Sequence, residues 1–246
     1  MIYLNNAATS FPKPMEVNVS VIDYLSSTPY NYLRASNYTE LNEENIVTHC
    51  RKNVAKLFGV KNHNRIAFTS GATESINLAL KGLNLNNAHV ITSVTEHNSV
   101  LRPLKTLEAE GKIEISYLET DKVGRINFDN IDKLIRNNTK AIIINHCSNV
   151  TGNYFELSEI SIIAKRYGII SIVDVSQSAG NIDIEVGDID ILCFTGHKSL
   201  YGMPGIGGIY VKEGIDIQPL KVGGTGTRSD YLLQPEDYPT YLEAGT

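Results

Sequence analysis

The sequence has no tryptophan, three methionines and three cysteines in 246 residues. The missing tryptophan carries no functional content, but the cysteines are informative. Cys50, Cys147 and Cys193 stand far apart, with no C-x-x-C pair and no metal-ligand spacing around them. That argues against a disulfide framework or a zinc module, and a sparse, odd count fits a reducing cytoplasm. Cys193 lies inside the apolar run Ile189–Phe194 and reads as a buried core thiol. Long hydrophobic runs are also lacking. Ala141–Ile144 and Ile169–Val173 are strand-sized, far from the roughly 18 residues of a membrane span. The opening Met-Ile-Tyr-Leu-Asn-Asn has no basic-then-apolar layout of a secretion signal. No charge run exists: 22 Lys+Arg against 27 Asp+Glu leave a formal −5. A mildly acidic chain without a basic cluster points away from nucleic acid and anionic membranes as partners.

What is present describes a globular chain. Apolar residues make up 42% of the total, too many for a disordered one, and the length suits one large or one and a half domains. Short apolar runs read as strands at Arg65–Phe68, Ala88–Ser93, Ile113–Leu118, Lys140–Asn145, Ile169–Asp174, Ile189–Phe194 and Gly207–Val211. Helical spacing lies between several of them, at Thr73–Gly82, Ser99–Glu110, Phe128–Asn137 and Leu157–Tyr167. The first sixty residues add one helix, Leu41–Phe58. Alternating strands and helices predict an α/β fold: a mostly parallel seven-stranded sheet covered by helices on both faces. Gly196–Gly208 leaves no room for a crossover helix, so the last, hairpin-like strand Gly207–Val211 is expected to be antiparallel. The division expected is an N-terminal arm and helix over 1–60 and a large domain over 61–246.

Ligands of open α/β sheets bind beyond the carboxyl ends of the strands, so the residues following each strand form the search list. Thr69-Ser70-Gly71-Ala72-Thr73-Glu74 opens a helix with glycine and hydroxyls. It reads as a phosphate cup or as an ordinary N-cap on Thr73. His97 could stack on a planar ligand or be a satisfied loop histidine. Asp174 ends a buried strand and needs a cation, a protonated ring nitrogen or a helix to cap. Lys198, beside His197 and Ser199, is poorly explained as a solvated charge, and burial would make its amine nucleophilic. Together a cup, a stacking imidazole, an Asp for a ring nitrogen and an amine describe pyridoxal phosphate held as a Schiff base. No G-x-G-x-x-G follows the first strand and no G-x-x-x-x-G-K-[ST] occurs, which disfavours dinucleotide and P-loop readings. No metal ligands are expected.

Six segments, in order, resemble the class V aminotransferase family, and within it the cysteine desulfurases and selenocysteine lyases. They are Tyr3-Leu4-Asn5-Asn6-Ala7-Ala8-Thr9, Ser70-Gly71-Ala72-Thr73-Glu74-Ser75-Ile76-Asn77, Glu96-His97-Asn98, Ser148-Asn149-Val150-Thr151-Gly152, Val173-Asp174 with Gln177, and Gly196-His197-Lys198. The resemblance implies the large domain of the fold type I pyridoxal phosphate enzymes. It implies that Lys198 holds the cofactor, Asp174 pairs with its pyridine nitrogen and His97 stacks on its ring, the three forming the catalytic set. It further implies that Gln177 and Asn149 lie near the 3-hydroxyl and that Ala72, Thr73, Thr195 and His197 hold the phosphate. Gly223-Gly224-Thr225 resembles the segment that members lend to the neighbouring subunit's phosphate, so Thr225 would serve a second copy in a homodimer.

The sequence departs from the family pattern in four places. Asn5 stands where an Asp is usual, Val175-Ser176 precedes Gln177 in place of two small residues, and Ser199 is an extra residue after Lys198. Members use a mobile cysteine and a carboxylate-binding arginine from a C-terminal small domain, and no cysteine follows Cys193. Arg34 and Arg228 could reach a substrate carboxylate but read as surface or dimer residues. Tyr241-Leu242-Glu243-Ala244-Gly245-Thr246 resembles a segment after which relatives continue, so the chain is expected to be a fragment lacking the small domain. The first reading is a cytoplasmic homodimer removing sulfur or selenium from a cysteine-type amino acid to give alanine, with a sulfur-acceptor protein as partner. The alternatives are an aminotransferase or another lyase of the family, and a non-catalytic fragment kept for dimerisation or partner binding.

Overall fold

Seven apolar runs form one sheet in the computed structural model, which describes residues 2–26, 46–228 and 230–245. Helices α1 (Met15–Ser26) and α2 (Ile46–Leu57) precede β1 (Ile66–Thr69). There follow α3 (Ala72–Gly82), β2 (Ala88–Ser93), α4 (Asn98–Ala109), β3 (Ile113–Leu118), α5 (Ile131–Leu134) and β4 (Thr139–Asn145). The series ends with α6 (Leu157–Tyr167), β5 (Ile170–Asp174), β6 (Ile191–Thr195) and β7 (Gly207–Val211). Among the described residues no helix is long and apolar enough to cross a membrane.

The strands lie in the order β1-β7-β6-β5-β4-β2-β3. All neighbours from β6 to β3 pair in parallel, while β7 runs antiparallel to both β6 and β1. Six strands therefore share one direction, and the carboxyl ends of β1, β2, β4, β5 and β6 meet along one edge. The core explains this continuity. Ile142, Ile144, Val173 and Leu192 belong to an apolar layer with Phe58 and the buried face of α6. Ala141, Ile143, Ile172, Ile191 and Cys193 belong to the opposite layer with α3 and α4. Alternation along a strand sends successive side chains to opposite faces, so a strand covered on both sides is apolar throughout. Cys193 is the buried core thiol its sequence context predicts.

Two helix expectations change. The helix expected over Phe128–Asn137 is a single turn, Ile131–Leu134. The Asn127 side chain accepts the N–H of Asp129 at 2.8 Å, a local bond that competes with helix formation. The N-terminal region holds a second helix, α1, besides α2. Its Val17, Val19 and Val21 alternate like a strand in sequence, and none of its residues is buried. The expected start of α2 at Leu41 lies outside the described residues; the helix is seen from Ile46.

Candidate active site

Beyond the carboxyl ends of the strands lies a cavity of about 520 Å³. Each wall comes from the residues following one strand. After β1 the chain turns through Thr69-Ser70-Gly71 into α3. Gly71 takes φ 151°, a conformation open to glycine at little cost. The turn is pinned from below: Thr69 Oγ1 lies 2.8 Å from Ser75 Oγ, which donates to the carbonyl of Gly208 at 2.8 Å. Gly207 packs so closely beneath that a Cβ there would stand 2.5 Å from Gly71 Cα. The capping position is Gly71, not Thr73, and no side chain caps the helix. The leading N–H groups of α3 are thus left to the cavity that Ala72 and Thr73 line, with the positive end of the helix dipole behind them.

His97 is the N-cap of α4. Its Nδ1 accepts the N–H of Ser99 at 3.1 Å and lies 2.8 Å from Ser99 Oγ, which fixes the ring against the cavity. Asn149 lines the wall contributed after β4. His146, three residues earlier, is buried and occupied, its ring nitrogens 2.8 Å from Ser178 Oγ and 2.9 Å from the Phe155 carbonyl.

Asp174 closes β5, with only 5% of its surface exposed. Its Oδ1 accepts both the N–H (2.9 Å) and the hydroxyl (2.5 Å) of Ser176, while Oδ2 has no partner among the described residues. After β6, Thr195 Oγ1 sits 3.0 Å from His197 Nδ1, and Lys198 lines the cavity with its Nζ in no hydrogen bond or ion pair among the described residues. Burial lowers the pKa of Lys198, with the Asp174 charge acting in the opposite sense. Burial, and then the charges of Lys198 and Lys13, lower that of His197. The N-terminal arm roofs this region: Gln177 Nε2 donates to the Ala7 carbonyl at 2.9 Å, and Ser10 N–H and Thr9 Oγ1 donate to the carbonyl of His197.

Of the ten residues proposed from sequence, Ala72, Thr73, His97, Asn149, Asp174, Gln177, Thr195, His197 and Lys198 line this one cavity. Thr225 does not. It is buried and its hydroxyl donates to the Thr227 carbonyl. Arg228 pairs with Asp237 at 2.5 Å away from the cavity, and Arg34 lies outside the described residues. Sequence reasoning gave no role to Ser176, Asn145 or Cys147, which also line the space. The spacing Asp-x-Ser was a usable signal for the first. The donor set suits a phosphorylated aromatic aldehyde. Open helix N–H groups and hydroxyls await an anion, a buried carboxylate oxygen awaits a cationic ring nitrogen, and an amine of lowered pKa awaits a carbonyl.

Comparisons with known proteins show the family. The family model described as aminotransferase class-V matches residues 2–246. The cysteine desulfurase IscS of Dictyoglomus turgidum is 36% identical over 230 residues, covering 91% of this chain and 57% of that protein. The chain therefore spans little more than half the length of such relatives. Among solved structures, SspA in complex with cysteine superposes with a TM-score of 0.83 at 32% identity, covering 98% of this chain and 70% of that one. The apo structure of a cysteine desulfurase from Thermococcus onnurineus NA1 gives 0.84 at 31% identity, covering 100% and 63%.

Proposed function

Because the chain belongs to the class V aminotransferase family, we propose that it is the cofactor-binding part of a pyridoxal phosphate enzyme that removes sulfur, or selenium, from a cysteine-type amino acid to leave alanine. The observation that carries this reading is the convergence of Lys198, Asp174, His97 and the α3 cup on one cavity. The relatives named above supply the substrate class. When bound, pyridoxal phosphate supplies an electron sink for a carbanion at the substrate Cα.

The chain's own residues would divide the remaining work. Lys198 would hold the cofactor covalently and then carry protons at its Nζ, a role its lowered pKa favours. Asp174 Oδ2 would face the pyridine nitrogen and keep it protonated, with Ser176 fixing the other oxygen. The His97 ring would lie against the cofactor ring. N–H groups of α3, with Thr73, Thr195 and His197, would take the phosphate; Gln177 and Asn149 would approach the 3-hydroxyl. Thr225, turned away from its own cavity, would complete the phosphate site of a second copy in a homodimer. A cytoplasmic location and a sulfur-accepting partner protein belong to the same reading.

The test is direct. The purified chain incubated with pyridoxal phosphate should gain the absorbance band of a lysine-bound cofactor, and Lys198→Ala should not. Alanine and sulfide released from cysteine then identify the reaction. A wild-type chain that gains no band overturns the cofactor assignment; a band with no sulfide, from this chain or a longer form, overturns the desulfurase assignment.

A further inference from the structure

Glu96 sits behind the cavity and does not line it. It follows the end of β2, precedes His97 and is 7% exposed. Its Oε2 accepts the N–H of Asn145 at 2.8 Å, and its Oε1 lies 2.5 Å from Ser93 Oγ. Asn145 ends β4 and pairs in register with Asp174 of β5. Asn145 also returns a bond, donating from Nδ2 to the Thr95 carbonyl at 2.9 Å. The segment carrying His97 is thus tied to the strand next to Asp174 by two bonds to Asn145, and the buried carboxyl group of Glu96 is tied back to β2 by Ser93.

Among the described residues neither Glu96 nor Asp174 has an ion-pair partner. Two buried carboxylates near each other, neither of them ion-paired, are strongly disfavoured as a double anion, and Lys198 acts on Asp174 alone, so the other acid is the one to take up a proton. The hydrogen bonds favour Glu96 as the holder. A proton on Oε1 can pass to Ser93 Oγ, whose own proton then meets Thr95 Oγ1 at 3.0 Å, while Oε2 still accepts from Asn145. Asp174 has no such outlet: its Oδ1 is taken by the N–H and hydroxyl of Ser176, and a proton on Oδ2 would find no acceptor among the described residues.

We infer that Glu96 is a positioning residue kept as a neutral acid, which ties the His97 segment to the end of β4 and leaves Asp174 as the sole anion of the pair. Its pKa accords with this: burial raises it to about 8, the Ser93 hydrogen bond works against the rise, and the Asp174 charge adds to it. The titratable groups at this edge of the sheet are Asp174 at the end of β5, Cys193 paired with Asp174 on β6, Lys198 beyond β6 and His97 next to Glu96 on its own segment. Of these, Asp174 is the charge that acts on Glu96. The acid form is a property of the chain alone; its use in keeping Asp174 available to a ring nitrogen rests on the cofactor reading above.

Infrared difference spectra of the ligand-free chain, wild type minus Glu96→Gln, provide the test. Recorded on either side of pH about 8, they should contain a protonated-carboxyl C=O stretch below that value and lose it above. A carboxylate signal at both overturns the inference. This measurement needs no cofactor, so its failure is distinct from a failure to bind pyridoxal phosphate. With the cofactor loaded, Glu96→Ala should weaken its binding about tenfold, and Glu96→Gln, which mimics the neutral acid, should restore most of the loss. Equal losses in both variants overturn the neutral role. If the alanine variant does not fold, the glutamine variant decides alone: it should bind the cofactor about as tightly as wild type, and a tenfold loss counts against the inference.

Discussion

The two ends of the sheet treat buried polar groups in opposite ways. At the end away from the cavity His89, Asp190 and Arg65 are each closed off by bonds. His89 is fully buried, with its ring nitrogens 2.8 Å from Thr139 Oγ1 and Ser116 Oγ. Asp190 Oδ2 accepts the N–H and hydroxyl of Ser171, both at 2.9 Å, and Arg65 spends its guanidinium on the carbonyls of Val211 and Lys212. At the carboxyl end, among the described residues, the Lys198 amine has no partner, Asp174 keeps one oxygen free and α3 starts without a side-chain cap. Burying a polar group costs free energy unless it is bonded. One end of the sheet therefore spends its polar groups on stability, and the other holds them in reserve for a ligand. Substitutions at the two ends should separate these roles.

The largest contrast is between Lys198 and His89. Lys198→Met should abolish covalent cofactor attachment and lower any turnover by at least about 10³-fold. Replacing a half-buried amine that has no partner among the described residues by an apolar side chain should leave stability unchanged or raise it by about 1 kcal/mol. His89→Ala should do the reverse, costing about 2–4 kcal/mol through a cavity and two stranded hydroxyls and leaving cofactor affinity unaltered. Denaturant melts of both variants, with titration of each by pyridoxal phosphate, check the pair. A destabilised Lys198→Met chain would break the contrast, since it would mean that the amine is held by its surroundings.

Ser176→Ala tests the reserve more finely. It removes the 2.5 Å hydroxyl bond to Asp174 Oδ1 but keeps the backbone N–H. A loss of about 1 kcal/mol in stability is expected, together with a several-fold drop in cofactor affinity as the carboxylate gains freedom to turn. Equilibrium melts and cofactor titration read the two effects separately. A stability loss with unchanged affinity would assign Ser176 to the closed set.

Much of this was legible in sequence, for physical reasons. β2, β3 and β7 and helix α6 have the bounds their apolar runs and spacing predict. The antiparallel β7 followed from a connection too short for a crossover helix. Strands covered on both faces leave no choice of side-chain chemistry, so their ends are sharp, and the residues beyond the ends are the site. What escaped depended on contacts distant in sequence or on local competition. α1 buries nothing, so no apolar face marked it as a helix. α5 shortened because an Asn side chain took a backbone N–H. Glu96 carried no role in the sequence beyond its place before His97, and its burial appears only when β4 supplies Asn145.

The smallest effect belongs to a contact that spans the two categories. Glu74, in the first turn of α3, accepts the N–H of Ser70 at 2.7 Å and pairs with Lys221 at 2.8 Å. Burial by itself would raise its pKa, but the Lys221 and Ser70 bonds outweigh that and bring it down to about 2. A carboxyl whose folded pKa is depressed adds stability above its unfolded value, and that stability is lost as pH falls toward about 2. The Lys221 ammonium is largely in solvent, with 57% of its side chain exposed, so screening limits the pair to about 0.5–1 kcal/mol. Lys221→Ala should therefore cost less than about 1 kcal/mol at neutral pH. The difference from wild type should shrink with added salt and vanish in acid. Cofactor affinity should hardly change, because Gly71 and the Ser75 bonds to Thr69 and Gly208 already pin the cup from inside. Melts in a pH and salt series measure the first claim and cofactor titration the second. A tenfold loss of affinity in this variant would mean that the open cup is held from its outer surface, and the division between closed and open ends would have to be drawn around α3.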